Sequence, residues 1–217
     1  EFLVVAEMKT EEEQVEALKR WWQENGKSLV LTIAVSIGGV LSWNAYQDHE
    51  TNQAETASVY FQQLMNSAPA GQLSESQIAE VRYNSELLKT EFDTSTYAQF
   101  GALMLARVEV QEGDLTAAAA QLQWVLEQQG DAEINALATI RLAKLLGAQG
   151  QYDSALDLLV DGDDAWQLGR LEVRGDLLVA QGELDAARAA YEKASVLADA
   201  SGASNPLLGL KLDNLAQ

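Results

Sequence analysis

The chain has 217 residues, 47% of them hydrophobic, and 33 Asp and Glu stand against 14 Lys and Arg for a net charge of −19. That much apolar material suffices for a membrane anchor and one domain of ordinary size, and it excludes wholesale disorder. With no cysteine there are no disulfides, thiolate metal sites or cysteine nucleophiles, and so acidic a surface repels nucleic acid and anionic headgroups.

The first seven residues, EFLVVAE, precede Met8 and are set aside as either an upstream extension or a cloning remnant. Residues 28–47, SLVLTIAVSIGGVLSWNAYQ, carry no charge. As a helix they reach about 30 Å, roughly the hydrocarbon thickness of a bilayer. Trp21, Trp22, Trp43 and Tyr46 flank the segment, where amphipathic rings suit the headgroup region. A buried core helix and a cleaved signal peptide are the competing readings. Trp43 and Asn44 break any small-x-small cleavage pattern, which favours an uncleaved anchor. Lys9, Lys19, Arg20 and Lys27 precede the span, and no Lys or Arg follows before Arg82. The positive-inside rule therefore predicts a cytoplasmic tail over 1–27, a transmembrane signal anchor over 28–47, and a domain across the membrane over 48–217. That last part holds 26 acids and ten Lys and Arg, about −16 in net charge.

Beyond the anchor the sequence predicts only helices. Ala, Leu, Gln and Glu dominate, and prolines occur at Pro69 and Pro206 alone. A polar helix over 51–66, either continuous with the anchor or separate from it, ends at a loop containing Pro69 and Gly71, and a second helix covers 74–90. Then a pattern recurs: Gly113-Asp-Leu-Thr-Ala-Ala, Gly150-Gln-Tyr-Asp-Ser-Ala and Gly182-Glu-Leu-Asp-Ala-Ala. The spacings bracket the 34-residue period of tetratricopeptide repeats. Seven residues before each glycine stand Ala106, Ala143 and Gly175; five after it stand Ala118, Ala155 and Ala187; nine after it stand Leu122, Leu159 and Tyr191. Small residues let helices approach and the larger one fills the layer between units, while the glycine supplies the positive φ that ends the first helix. A helical bundle with glycines at its turns is the competing reading. The repeat helices are expected over 97–112, 115–128, 132–148, 154–159, 165–180 and 184–198. Asn205-Pro206 starts a short terminal helix whose Leu207, Leu208, Leu210 and Leu212 are expected to cover the last apolar face. The fold class is all-α: one N-terminal transmembrane helix followed by a tetratricopeptide-like α-solenoid.

Two features carry a resemblance. One is the pre-anchor run Glu12-Glu-Gln-Val-Glu-Ala-Leu-Lys-Arg-Trp-Trp-Gln-Glu-Asn-Gly-Lys27 with the anchor behind it; the other is the repeat segment that includes Ala118-Ala-Ala-Gln-Leu-Gln. From Met8 to Gln217 the chain resembles the YfgM-like ancillary subunits of the bacterial SecYEG translocon. The resemblance implies a single-pass inner-membrane protein with a periplasmic tetratricopeptide domain. It also implies association with the SecYEG translocon and with the membrane-anchored periplasmic chaperone PpiD, in the service of exported client proteins. It supplies no catalytic residues.

Little in the sequence points to chemistry. His49 is the single histidine, so a zinc site or a Ser-His-Asp set has almost nothing to build on, and no cofactor motif is present. Asp161-Gly-Asp-Asp164 resembles a calcium loop, but taking Gly162 as its turn glycine puts Leu159 and Leu168 where ligands belong. A solvated turn, with Asp163 or Asp164 favouring the next helix's N-terminus, is the plainer reading. Within the anchor, Ala34, Gly38 and Ser42 share one helical face and are expected either to pack helices generally or to contact another membrane helix.

The remaining candidate is the inner face of the array, lined in tetratricopeptide folds by the first helix of each repeat. Carried over, those positions are Phe100, Leu103, Arg107 and Val110, then Leu137, Ile140 and Lys144, then Glu172, Asp176 and Val179. They are expected to bind a segment of another protein, with Arg107 and Lys144 foremost; ordinary inter-repeat core is the competing reading for each. The functional expectation is a non-catalytic, membrane-tethered interaction module ancillary to the translocon. A scaffold for assembling another envelope complex is the alternative.

Overall fold

The computed structural model describes residues 11–69, 71–128, 130–162, 164–202 and 205–215, with side chains from residue 13 onward. Residues 1–10 and Asp163 thus lie outside the described residues, and with them the N-terminal extension and one of the two proposed turn carboxylates. Every regular element described is an α-helix: α1 Glu11–Ser67, α2 Glu75–Glu91, α3 Thr96–Glu112, α4 Leu115–Glu127, α5 Ala132–Ala148, α6 Tyr152–Leu158, α7 Gln167–Gln181, α8 Leu184–Ser201 and α9 Pro206–Asn214. The chain divides into two compact units at Gln53 and Ala54, within α1.

The first unit contains the apolar stretch. Val30, Leu31, Ile33, Val35, Ile37, Val40 and Leu41 are all exposed, and none of the apolar window is buried by protein. A core helix would be covered; this segment is not, and it is a helix long and apolar enough to cross a membrane. Its hydroxyls suit lipid, because Thr32 Oγ1 donates to the Ser28 carbonyl at 2.9 Å and Ser36 Oγ to that of Thr32 at 2.8 Å. At one end the Trp22 ring lies against Gly26, where a Cβ would stand 3.2 Å from the indole. At the other, Trp43 and Tyr46 are 6.2 Å apart, centroid to centroid.

The second unit is a repeat array with four apolar clusters. The end of α1 contributes Ala57 and Leu64, and Ala68 just beyond it joins them, in a layer with Val81 and Leu88 of α2 and Leu105 and Val108 of α3. The next layer joins Leu103 and Ala106 of α3, Ala118 and Leu122 of α4, and Ala138 and Leu142 of α5. Ala143 of α5, Ala155 of α6 and Val173 of α7 form a third with Leu159, and Leu171, Ala187, Tyr191 and Leu208 a fourth. Each cluster draws on consecutive helices, as expected of a solenoid held by nearest-neighbour interfaces.

The glycines behave as their spacing predicts. Gly113, Gly150 and Gly182 have φ of 83°, 76° and 84°, the left-handed conformation that closes a first helix. The small residues before and after them, and Leu122, Leu159 and Tyr191, are all buried.

Two segments differ from expectation. The second helix of the middle repeat, α6, starts at Tyr152 and stops at Leu158, and α7 starts only at Gln167. The intervening turn is pinned by side chains. Asp164 accepts from Trp166 N–H at 2.8 Å and pairs with Arg170 at 2.8 Å; Asp161 pairs with Arg174 at 2.8 Å; Gly162 N–H donates to Gln167 Oε1 at 3.0 Å. At the C-terminus only part of the leucine set turns inward. Leu208 is buried and Leu212 packs against the last cluster, whereas Leu207 and Leu210 are exposed. The helical period decides this, since 208 and 212 share one face of α9 and Leu215, just after it, continues that face.

Candidate partner-binding groove

A groove of about 330 Å³ opens between α3 and α5. Leu103, Leu122 and Leu145 form its apolar floor; Arg107, Arg141 and Lys144 carry cationic groups into its lining. Val110 completes the α3 side. The two inner helices bring these residues together because Arg107 lies six positions before Gly113 and Lys144 six before Gly150. Equal register on adjacent first helices puts both charges at the same level.

The three cations have no carboxylate partner among the described residues; the ion pairs there use Arg82, Lys89, Arg170, Arg174 and Lys211 instead. Arg107 makes one long contact, Nη2 to the Ala68 carbonyl at 3.5 Å. Arg141 is held below the ordinary arginine pKa, first by burial of its guanidinium and then by the charge on Arg107. A guanidinium stays ionised regardless, so the groove keeps an uncompensated positive charge.

Of the residues read from sequence, the structure gathers Leu103, Arg107, Val110 and Lys144 around this groove. The others are placed elsewhere. Ile140 is buried in the third cluster, where its Cδ1 would be 3.2 Å from a Cβ at Gly169. Leu137 is partly buried against the second. Phe100 is exposed, but its ring stacks 5.9 Å from Phe61. Glu172 and Asp176 are occupied by Lys211 of α9, at 2.8 and 2.7 Å. Val179 stands exposed outside the groove. On the span, a Cβ at Gly38 would meet nothing within 4 Å, so the Ala34, Gly38 and Ser42 face is open at its centre.

Arg141 is the lining residue that the inner-position register misses. A signal for it existed. None of Arg107, Arg141 and Lys144 has Asp or Glu three or four residues away, whereas Lys89 has Glu86 and pairs with it at 2.8 Å.

Among the described residues no group of three or more His, Cys, Asp and Glu is arranged to hold a metal ion. Asp161 and Asp164 are instead engaged by Gln167 and by Arg174 and Arg170.

The model of the tetratricopeptide repeat-like domain family matches residues 19–217. An ancillary SecYEG translocon subunit of Escherichia coli (strain K12) is 31% identical over 208 residues, 95% of this chain and 97% of that protein. The chain belongs to that family. A second member, from Haemophilus influenzae, is 30% identical over 94% of this chain and 97% of its own length. One from Neisseria gonorrhoeae is 29% identical with the same coverage. Among solved structures, a Podosopora anserina kinesin light chain protein with nearly identical TPR-like repeats superposes with a TM-score of 0.53. It covers 76% of this chain and 84% of its own at 17% identity, a likeness of fold alone. This chain thus joins a helix long and apolar enough to cross a membrane to a repeat array of that family.

Proposed function

We propose that this protein is a non-catalytic interaction module tethered in the bacterial inner membrane and ancillary to the SecYEG translocon. The observation that carries the reading is the groove between α3 and α5: an apolar floor with three cations that have no carboxylate partner among the described residues, in a chain of net charge −19. Such a surface holds a protein segment by packing and charge and needs no turnover. The names of the relatives supply the setting, since each is an ancillary subunit of that translocon. Lys19, Arg20 and Lys27 before the apolar stretch support a cytoplasmic N-terminus and, with it, a periplasmic repeat array. There it would connect the translocon with a membrane-anchored chaperone of the PpiD type and with emerging exported proteins.

The test is capture from mild detergent extracts by the full chain and by the Arg107→Glu/Lys144→Glu variant. Translocon components are expected with the parent, and chaperone or client capture is expected to fall in the variant while helicity is unchanged. Retrieval of only other envelope-assembly proteins would instead favour a scaffold. Protease added to spheroplasts is expected to digest the array. Digestion only after the inner membrane is ruptured would reverse the orientation.

A further inference from the structure

Two junctions between neighbouring inner helices can be compared within this one molecule. Glu172 and Asp176 occupy in α7 the register that Leu103 and Arg107 occupy in α3, ten and six residues before the closing glycine. At the α7 level the next inner helix, α9, brings Lys211 between the two acids, at 2.8 and 2.7 Å, while Leu208 is buried beside it. Opposite charges close that junction. At the α3 level the next inner helix, α5, brings Arg141 and Lys144 towards Arg107, and like charges line the groove over leucines. Like charges at short range repel, and the repulsion strengthens away from bulk water. Among the described residues, the counter-charge that α9 supplies at one junction has no equivalent at the other.

We infer that the occupant of the α3/α5 groove is an acidic segment of a partner protein, with at least two carboxylates flanking a large apolar side chain. The apolar side chain packs on Leu103, Leu122 and Leu145, and the carboxylates pair with Arg107, Arg141 and Lys144. This deepens the interaction reading above and rests on it. The arrangement mirrors α9 with the signs exchanged: there Leu208 packs and Lys211 pairs with acids. Planar guanidinium groups suit bidentate carboxylate recognition, which makes Arg141, beside Arg107, a specificity determinant in its own right. A strongly acidic surround repels acidic chains generally, so only a segment that also fills the apolar floor gains enough to stay. The same surround repels an anionic bilayer surface, which disfavours lipid as the occupant.

The experiment uses the full chain in its own membrane, with the photocrosslinker p-benzoylphenylalanine at Val110 on the groove's α3 side and, separately, at Gln123, an exposed position on α4. Crosslinked segments are sequenced by mass spectrometry. The expected adduct at Val110 is a protein segment with two or more Asp or Glu close to the linked residue. Its yield is expected to drop roughly tenfold in Arg141→Ala and again in Lys144→Gln, and to be retained only in part in Arg141→Lys, whose ammonium keeps the charge without the planar fork. Arg141→Ala is expected to melt no lower than the parent, since it removes a like charge, so a lost crosslink would report lost recognition. A segment without acids, with a yield indifferent to these variants, would overturn the acidic occupant yet leave the groove as the interaction site. Adducts to lipid or to a second copy of this chain would overturn it too. Partner crosslinks at Gln123 and none at Val110 would overturn the groove reading itself.

Discussion

The Tyr191 ring fills the space that a side chain at Gly175 would need: a Cβ built there stands 2.2 Å from Tyr191 Cε1. In the two preceding repeats the same pair of positions is Ala106 with Leu122 and Ala143 with Leu159. Size is conserved across the pair while its division changes, so the smallest residue faces the largest. Gly175→Ala is expected to destabilise by about 1–2 kcal/mol, overpacking outweighing alanine's better helix propensity. Adding Tyr191→Leu should recover part of that loss, giving a coupling of about 1 kcal/mol in a double-mutant cycle followed by circular dichroism.

Ala155 is fully buried in the middle repeat, between α5 and α7. Ala155→Leu is expected to cost about 1–3 kcal/mol, because the short α6 leaves little helix to shift. Gln123→Leu, on an exposed face of α4, should change stability by under about 0.5 kcal/mol. An Ala155→Leu protein that melts with the parent would count against the interlocking of these layers.

The terminal helix should loosen in alkali. Burial alone would lower the Lys211 pKa, but its hydrogen bonds to Asp176 and Glu172 outweigh this and raise it above 10.5. Tyr191 is raised as well, by burial and then by its 2.6 Å hydrogen bond to Asp176. Groups with raised folded pKa stabilise fully below their unfolded values and lose that contribution as pH rises through the folded ones. The melting temperature should therefore fall more steeply above pH 10.5 than in Lys211→Met, whose remaining slope Tyr191→Phe should reduce further.

The turn before α7 responds at the opposite end of the scale. Asp161 is held below 3.8 by Gln167 and Arg174, and Asp164 by Arg170 and the Trp166 N–H. These depressed carboxylates contribute stability above 3.8 that disappears as pH falls through their folded values. Asp161→Asn with Asp164→Asn should flatten the acid limb of the stability profile and also lower stability at neutral pH, since Arg170 is buried and loses its carboxylate partner.

Much of this was legible in the sequence because the repeats are local. The glycine register placed the ends of α3, α5 and α7 and the small residues at each crossing, and those signals depend on neighbours a few residues away. The late start of α7 was not legible, since it depends on Arg170 and Arg174 reaching back to Asp164 and Asp161. Nor was the engagement of Glu172 and Asp176, which needs Lys211 from another helix. Leu103 and Ile140 share a register, yet one floors the groove and the other is buried against α7, because only the second has Gly169 beside it. Arg141 escaped the inner-position rule, although its lack of an acidic neighbour along the helix marked it.

A solenoid is by construction extendable: the face that receives one repeat can receive another, including one from a different molecule. An open end would make a head-to-tail contact with no rotational closure, the recipe for a fibre. Here α9 occupies that end, with Leu208 in the last cluster, Lys211 locked to Glu172 and Asp176, and Arg188 bonded to the Leu215 carbonyl. The nine residues of α9 thereby cover the apolar face that a repeat from a second molecule would otherwise use.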